Sequence, residues 1–320
     1  MTISFLGIDT SNYTTSLALI DVTGKVLFDK RIVLTVKPGE IGLRQSDAFY
    51  QHVMNLPGIF FDLPSEWLKS VKAIGVSTRP RNVSGSYMPV FNAGHQFAKV
   101  IGKSLGCPVY EYSHQDGHVM AVLDKSHEIN HIKILNIHIS GGTTEVFNSR
   151  WSDENSYFET EIVGGSKDIS IGQLIDRLGV YMGYPFPCGS HMERAVSHLK
   201  SEKVKPSKVL PLKSTDGWFN LSGIENKGKQ LLTVGMGKEE FIVLLFNELG
   251  EFLYQLLSKK VESEQPDCLI LAGGFMSNFW IRHKIEGLYS RYPNLKILMT
   301  PSELCTDNAV GIAKMALRRE

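Results

Sequence analysis

Apolar residues in this chain fall into short runs divided by small polar turns, and into longer stretches with helical spacing. Ser4 to Asp9 is an apolar run, Thr10-Ser11-Asn12-Tyr13-Thr14 a polar turn and Thr15 to Val22 a second apolar run, which together predict a β-hairpin. The pattern recurs further along the chain. His131 to Ile139 predicts a strand, Ser140-Gly141-Gly142-Thr143-Thr144 another small turn, and Glu145-Val146-Phe147 the start of the returning strand. Two such hairpins imply one duplicated unit. Between them, Val71 to Ser77 predicts a buried strand ending at the Arg79-Pro80-Arg81 turn, and Val90 to Leu105 a helix. Strands alternating with helices predict an α/β sheet.

In the second half, Ile171, Leu174, Ile175 and Leu178 lie at helical spacing within Lys167 to Tyr181, and Pro185-Phe186-Pro187-Cys188-Gly189 breaks that helix. Arg194 to Trp218 is polar and lysine-rich with no period, and predicts a loop or insertion. Lys238 to Val261 is the strongest amphipathic pattern. It leads into Asp267 to Gly274, a short buried strand closing on Gly273-Gly274, with a helix from Ser277 onward. Strand, glycine turn and helix suit a phosphate, because bare backbone N–H groups at a helix start attract anions; the same shape also serves tight packing.

At 320 residues the chain exceeds the size at which one core usually keeps growing, so two domains are expected. Its 34 Lys and Arg balance 33 Asp and Glu, which excludes a global basic field for nonspecific nucleic-acid binding but leaves room for a local patch. Cys107, Cys188, Cys268 and Cys305 form no Cys-x-x-Cys pair and sit beside apolar or small residues, which predicts reduced thiols and a cytoplasmic protein. The first residues lack a basic segment and meet Asp9 too early for a signal peptide. No apolar run approaches membrane-spanning length, so a soluble protein is expected.

The candidate chemistry begins with His114 and His118. If Gln115 to Leu123 is helical, their spacing stacks both imidazoles on one face, where they can share a divalent ion. A third ligand must come from elsewhere, and Asp307 in Cys305-Thr306-Asp307-Asn308-Ala309 would leave positions open for substrate oxygens. With 10 histidines in the chain, an isolated His-x-x-x-His is more often a helix-surface or core pair than a metal site. A His-Glu-x-x-His protease is least favoured, because position 115 is Gln and Asp116 sits one place too far along.

Gly7-Ile8-Asp9-Thr10-Ser11, the histidine pair, Ser140-Gly141-Gly142-Thr143-Thr144, Gly273-Gly274-x-x-x-Asn278 and the Cys305 to Ala309 segment stand in the order and spacing of one family. In these motifs the chain resembles the universal tRNA threonylcarbamoyl transferase family, formerly known as O-sialoglycoprotein endopeptidases, over essentially its whole length. The resemblance implies the actin, hexokinase and heat-shock-ATPase fold: two RNase H-like halves with a nucleotide in the cleft between them. Residues 1–130 would form the first half and 131–320 the second, with a helical insertion at about 165–240 and a C-terminal helix free to return to the first. It further implies one divalent metal, iron or zinc, on His114, His118 and Asp307, with Ser140 close enough to contribute an oxygen. Asp9 and Ser140 are the implied catalytic positions, although an acid in the first turn can equally fix the backbone. The implied nucleotide residues are Gly141 and Gly142 in the second phosphate loop, Asp176 at the ribose, Gly189 beside the nucleoside, and Gly273, Gly274 and Asn278. The implied reaction moves a threonylcarbamoyl group from threonylcarbamoyl-adenylate to N6 of adenosine next to the tRNA anticodon. Implied partners are tRNA, an adenylate-forming synthase, and accessory actin-like and ATPase subunits, with homo- or heterodimers and no membrane.

Departures from the family pattern gather at the cleft. Asn12, Tyr13 and Thr14 replace acidic residues, Thr143 replaces a histidine, Ile169 replaces the second acid of a pair begun by Asp168, Gln173 replaces a glutamate and Cys188 a glycine. Fewer ionisable groups mean less general-base capacity, which marks a divergent paralogue. Three functions therefore stand side by side: the tRNA transferase, a noncatalytic nucleotide-binding partner, and a carbamoyl transferase for a small molecule. Arg44, Arg79 and Arg81 are candidates for RNA phosphate contact.

Overall fold

The computed structural model describes residues 3–11, 13–37, 42–123, 129–199, 209–301, 304 and 307–320; Asn12, residues 200–208 of the expected insertion, Cys305 and Thr306 lie outside these. The chain runs through β1 (Ser4–Asp9), β2 (Thr14–Asp21), β3 (Val26–Val33), α1 (Gln45–Phe61), α2 (Ser65–Leu68), β4 (Val71–Arg79), α3 (Phe91–Leu105), β5 (Val109–Ser113) and α4 (His114–Val122). It continues with β6 (Ile134–Ile139), β7 (Thr144–Ser152), β8 (Tyr157–Ser166), α5 (Ile171–Tyr181), α6 (Gly189–Ala195), β9 (Trp218–Phe219), α7 (Ser222–Thr233) and α8 (Lys238–Glu264). Last come β10 (Cys268–Ala272), α9 (Phe279–Ile285), α10 (Gly287–Arg291), β11 (Lys296–Met299) and α11 (Val310–Arg319).

The strands form two sheets, ordered β3-β2-β1-β4-β5 and β11-β10-β6-β7-β8-β9. Read from β8 to β11, the second repeats the first strand for strand, and β9 adds an edge. In each, three antiparallel strands are followed by two parallel ones: β1 pairs antiparallel with β2 and parallel with β4, as β6 does with β7 and β10. The duplicated hairpins of the sequence are thus the central strands of two equivalent sheets.

The segment boundaries have local causes. The helix expected from Lys167 starts at Ile171 because Ser170 caps it: its side chain accepts from the Gln173 N–H while Gln173 accepts from the Ser170 N–H. A neutral glutamine makes this capping box as well as glutamate does. Helix α7 has no side-chain cap of its own. Asp168 supplies one from a distance, accepting from the N–H groups of Leu221 and Ser222 at 2.8 and 2.9 Å. Ile169 beside it packs into the apolar core under the second sheet.

That core is built on α8. Contrary to the sequence expectation, α8 has the length and apolar content of a membrane-crossing helix, but most of it is buried inside the protein, as befits a core helix. A smaller core lies between the first sheet and α1 and α3, around Leu6, Ile8, Leu17 and Ile74. A third joins the two sheets through α4 and α11, with Val119, Met120, Ile312 and Met315 packed against Ile134, Phe147 and Ile270. Helix α11 therefore closes back onto the first sheet. A Cβ on Gly7 would lie 2.2 Å from the Ala309 carbonyl oxygen, and one on Gly311 1.8 Å from that of Gly117. These backbones touch because neither glycine carries a side chain.

Candidate metal centre and nucleotide cleft

Helix α4 starts at His114, one residue earlier than the spacing predicts, because Ser113 and Asp116 form a capping box. The same Asp116 carboxylate accepts from the Asn82 side chain at 2.6 Å and from the Phe158 N–H at 3.2 Å, tying α4 to β8 of the other sheet. So Asp116 is structural. Asn308 shapes the turn before α11, its side chain accepting from the Val310 N–H at 3.1 Å and donating to the Leu304 carbonyl at 3.0 Å. This turn delivers Asp307 to α4.

His114, His118 and Asp307 meet there. The two Nε2 atoms are 2.9 Å apart and lie 3.4 and 3.5 Å from Asp307 Oδ1. Donors about 2.1 Å from a shared ion sit about 3.0 Å apart at right angles and about 3.4 Å apart at tetrahedral angles, so these spacings fit a single divalent ion. The tautomer fits too. Asp9 is fully buried, accepts from Ser11 and Ser77 hydroxyls and lies 3.2 Å from His114 Nδ1. A carboxylate taking the Nδ1–H leaves the Nε2 lone pair aimed at an ion, the usual support of a metal-bound histidine. Asp9 occupies an orienting position behind the triad.

The electrostatics agree with a cation's site. Burial opposes charge on His114, yet the Asp9 and Asp307 carboxylates outweigh it and raise its pKa to about 10. Burial and the neighbouring His114 hold His118 below its ordinary value. Burial likewise opposes charge on Asp307, but hydrogen bonds from the two imidazoles keep it well below the carboxylate range. In the metal-free protein, His114 is raised above 6.5, so its charge stabilises the fold fully below that pH and the contribution is lost as pH rises through about 10. Thermal midpoints in chelator should therefore fall between pH 7 and 10 in the wild type more steeply than in His114→Gln. Equal slopes would show that His114 carries no such charge.

A third histidine, overlooked in the sequence because it lies within an apolar strand, completes the neighbourhood. His138 on β6 is buried, and its ring centroid is 4.4 Å from that of His118. Burial and the two other imidazoles push its pKa well below the ordinary value, so it is neutral.

The remaining sequence-selected residues line two glycine turns and the helices behind them. Ser140 Oγ accepts from the N–H groups of Gly142 and Thr143 at 3.3 and 3.1 Å, shaping the turn, while Gly141 and Gly142 are exposed. Gly172 lies against that turn, where a Cβ would come within 2.3 Å of the Ser140 carbonyl oxygen. Gly273 has φ +98°, which favours glycine, and Gly274 opens a short 3-10 turn that Asn278 ends by capping α9. Asp176 is buried and accepts from the Cys188 N–H at 2.7 Å; burial raises its pKa. Gly189 begins α6 beside the Phe275 ring. Tyr13, from the first turn, reaches the second half: its ring is 6.1 Å from that of Phe186.

The three arginines considered for RNA contact have different surroundings. Arg79 donates to the Asn82 side chain and Arg81 pairs with Glu145 at 2.6 Å, so both hold internal structure; Arg44 is exposed at the start of α1.

The fold is shared with solved structures of low identity. HypF from T. kodakarensis superposes with a TM-score of 0.60 at 10% identity, covering 98% of this chain and 47% of that one. The (R)-2-hydroxyglutaryl-CoA dehydratase component A of Acidaminococcus fermentans gives 0.56 at 13%, covering 99% of both. A ROK family glucokinase from Streptomyces griseus gives 0.51 at 14%, covering 98% of this chain and 99% of that one. The fold is thus of the actin, hexokinase and ATPase type. In sequence, the tRNA N6-adenosine threonylcarbamoyltransferase of Thermosipho africanus is 28% identical over 321 residues, covering 96% of this chain and 92% of its own length. That of Neorickettsia sennetsu is 26% identical, covering 98% and 93%. The family model for tRNA N6-adenosine threonylcarbamoyltransferase matches residues 50–314, most of the chain, and the chain belongs to that family.

Proposed function

We propose that this chain transfers the threonylcarbamoyl group of threonylcarbamoyl-adenylate to N6 of adenosine beside the tRNA anticodon, with one iron or zinc ion held by His114, His118 and Asp307. The observation that carries this reading is the convergence of those three donors at single-ion spacing beside two glycine turns suited to phosphate. The substrate is a mixed anhydride with an activated carbonyl. The adenosine amine forms the new C–N bond, the carbonyl–oxygen bond to AMP breaks, and the departing phosphate can take the amine proton. Positioning is then the main demand. The Ser140 turn and the Gly273-Gly274 turn would hold phosphate oxygens, Asp176 the ribose, and Gly189 the nucleoside face. When bound, the ion supplies positive charge to phosphate or carbamoyl oxygens. The partners this implies are tRNA, an adenylate-forming synthase and the accessory actin-like and ATPase subunits, in the cytoplasm.

A second reading, a noncatalytic nucleotide-binding partner, is favoured by Tyr13, which brings an aromatic ring to Phe186 where the family carries acids. One experiment separates them. Unmodified tRNA is incubated with this protein, ATP, threonine, bicarbonate, the adenylate-forming enzyme and the accessory proteins, beside an authentic transferase, and digested for mass spectrometry. N6-threonylcarbamoyladenosine is the expected product. Its absence while the control succeeds would overturn the transferase reading and leave the binding role.

A further inference from the structure

We propose that His138 is a fourth protein ligand of the divalent ion, giving this chain a centre of three imidazoles and one carboxylate; this rests on the metal reading of His114, His118 and Asp307. His138 is 7% exposed, and its Nε2 is buried with no hydrogen-bond partner among the described residues. Such an atom is costly unless something uses it. Its ring centroid is 4.4 Å from that of His118 and 6.5 Å from that of His114, so it borders the pocket the ion would fill. The space it occupies is reserved for it: a Cβ on Gly273 would come within 2.7 Å of His138 Cδ2. The same glycine opens the phosphate turn, so His138 stands between the triad and the place proposed for the adenylate phosphate.

The His138 ring lies one imidazole further out than the triad's mutually close donors. His138 is outside the group of donors that lie within 4.8 Å of one another, so coordination requires its side chain to turn on metal uptake, which would trade an unsatisfied nitrogen for a coordinate bond. Imidazole suits iron and zinc alike. A fourth protein ligand also leaves fewer open positions for substrate oxygens, so it narrows how substrate can approach the ion.

The test counts imidazoles directly. The full chain is stripped with chelator, reloaded with zinc and measured by X-ray absorption at the zinc edge. Three imidazoles in the wild type and two in His138→Leu are expected, with zinc affinity in the variant weakened about 10–100-fold. The metal-free variant should melt no lower than the metal-free wild type, because it loses an unpartnered polar atom. Two imidazoles in the wild type, or unchanged affinity and count in the variant, would overturn the proposal while sparing the triad. A wild type that takes up no zinc would overturn both. Should the variant fail to fold, the wild-type count decides alone.

Discussion

Exchanging His114 and His118 together for alanine is expected to leave the purified protein without a divalent ion and to slow transfer by about a thousand-fold or more. An ion at a reacting centre supplies several kcal/mol of charge stabilisation, and about 4 kcal/mol corresponds to a thousand-fold in rate. The fold should survive. Alanine is the best helix former, and the capping box that starts α4 uses Ser113 and Asp116, which remain. Removing both imidazoles also frees Asp307 from its two hydrogen-bond donors, so any residual affinity would rest on that carboxylate and His138. Asp9→Asn is the informative companion. It keeps all three donors but weakens the orientation of His114, and a 10–100-fold loss of metal affinity is expected. Metal content is read by plasma mass spectrometry and transfer by the modified nucleoside in tRNA. A double variant holding as much metal as the wild type would remove the ligand assignment.

Gly311→Ala is expected to damage the same site from a distance. The added methyl carbon would lie 1.8 Å from the Gly117 carbonyl oxygen and 2.8 Å from the Ala121 N–H nitrogen, both backbone atoms of α4 that no rotamer can clear. Helix α11 must move away from α4, at a cost of about 3 kcal/mol or more. For a chain of this size the melting temperature should fall by about 6 °C or more. Asp307 lies just before that helix and its partners lie on α4, so separating the helices should weaken metal binding although Gly311 touches no ligand. Calorimetry and metal titration on the same preparation check both effects. An unchanged melting temperature would mean that the two helices do not cross as closely as described.

Parts of this organisation are legible in the sequence for clear reasons. The β1–β2 and β6–β7 hairpins are readable because these strands are largely buried and their turns are small and polar. His114 and His118 are readable as a pair because a helix converts a spacing of four into a shared face. Other elements are hidden. Strand β3 is an edge strand with irregular exposure, so it offers neither an apolar run nor alternation. Helix α7 takes its cap from Asp168, a tertiary partner that no local pattern announces. Gln173 and Ile169 look like lost acids until the capping box and the core beneath them are seen. His138 is the plainest case: within an apolar strand its chemistry depends entirely on what α4 brings beside it.

The crossing of α4 and α11 also orders events in time. A nascent chain that has reached the second sheet already displays both histidines, yet the carboxylate at position 307 and the helix that seats it on β1 and β4 are still unmade. Long-range contacts of this kind form late. On the proposed metal reading, completion of the centre marks the end of synthesis: a truncated or stalled chain would expose the surface meant for α11 and would lack the carboxylate that joins the histidines.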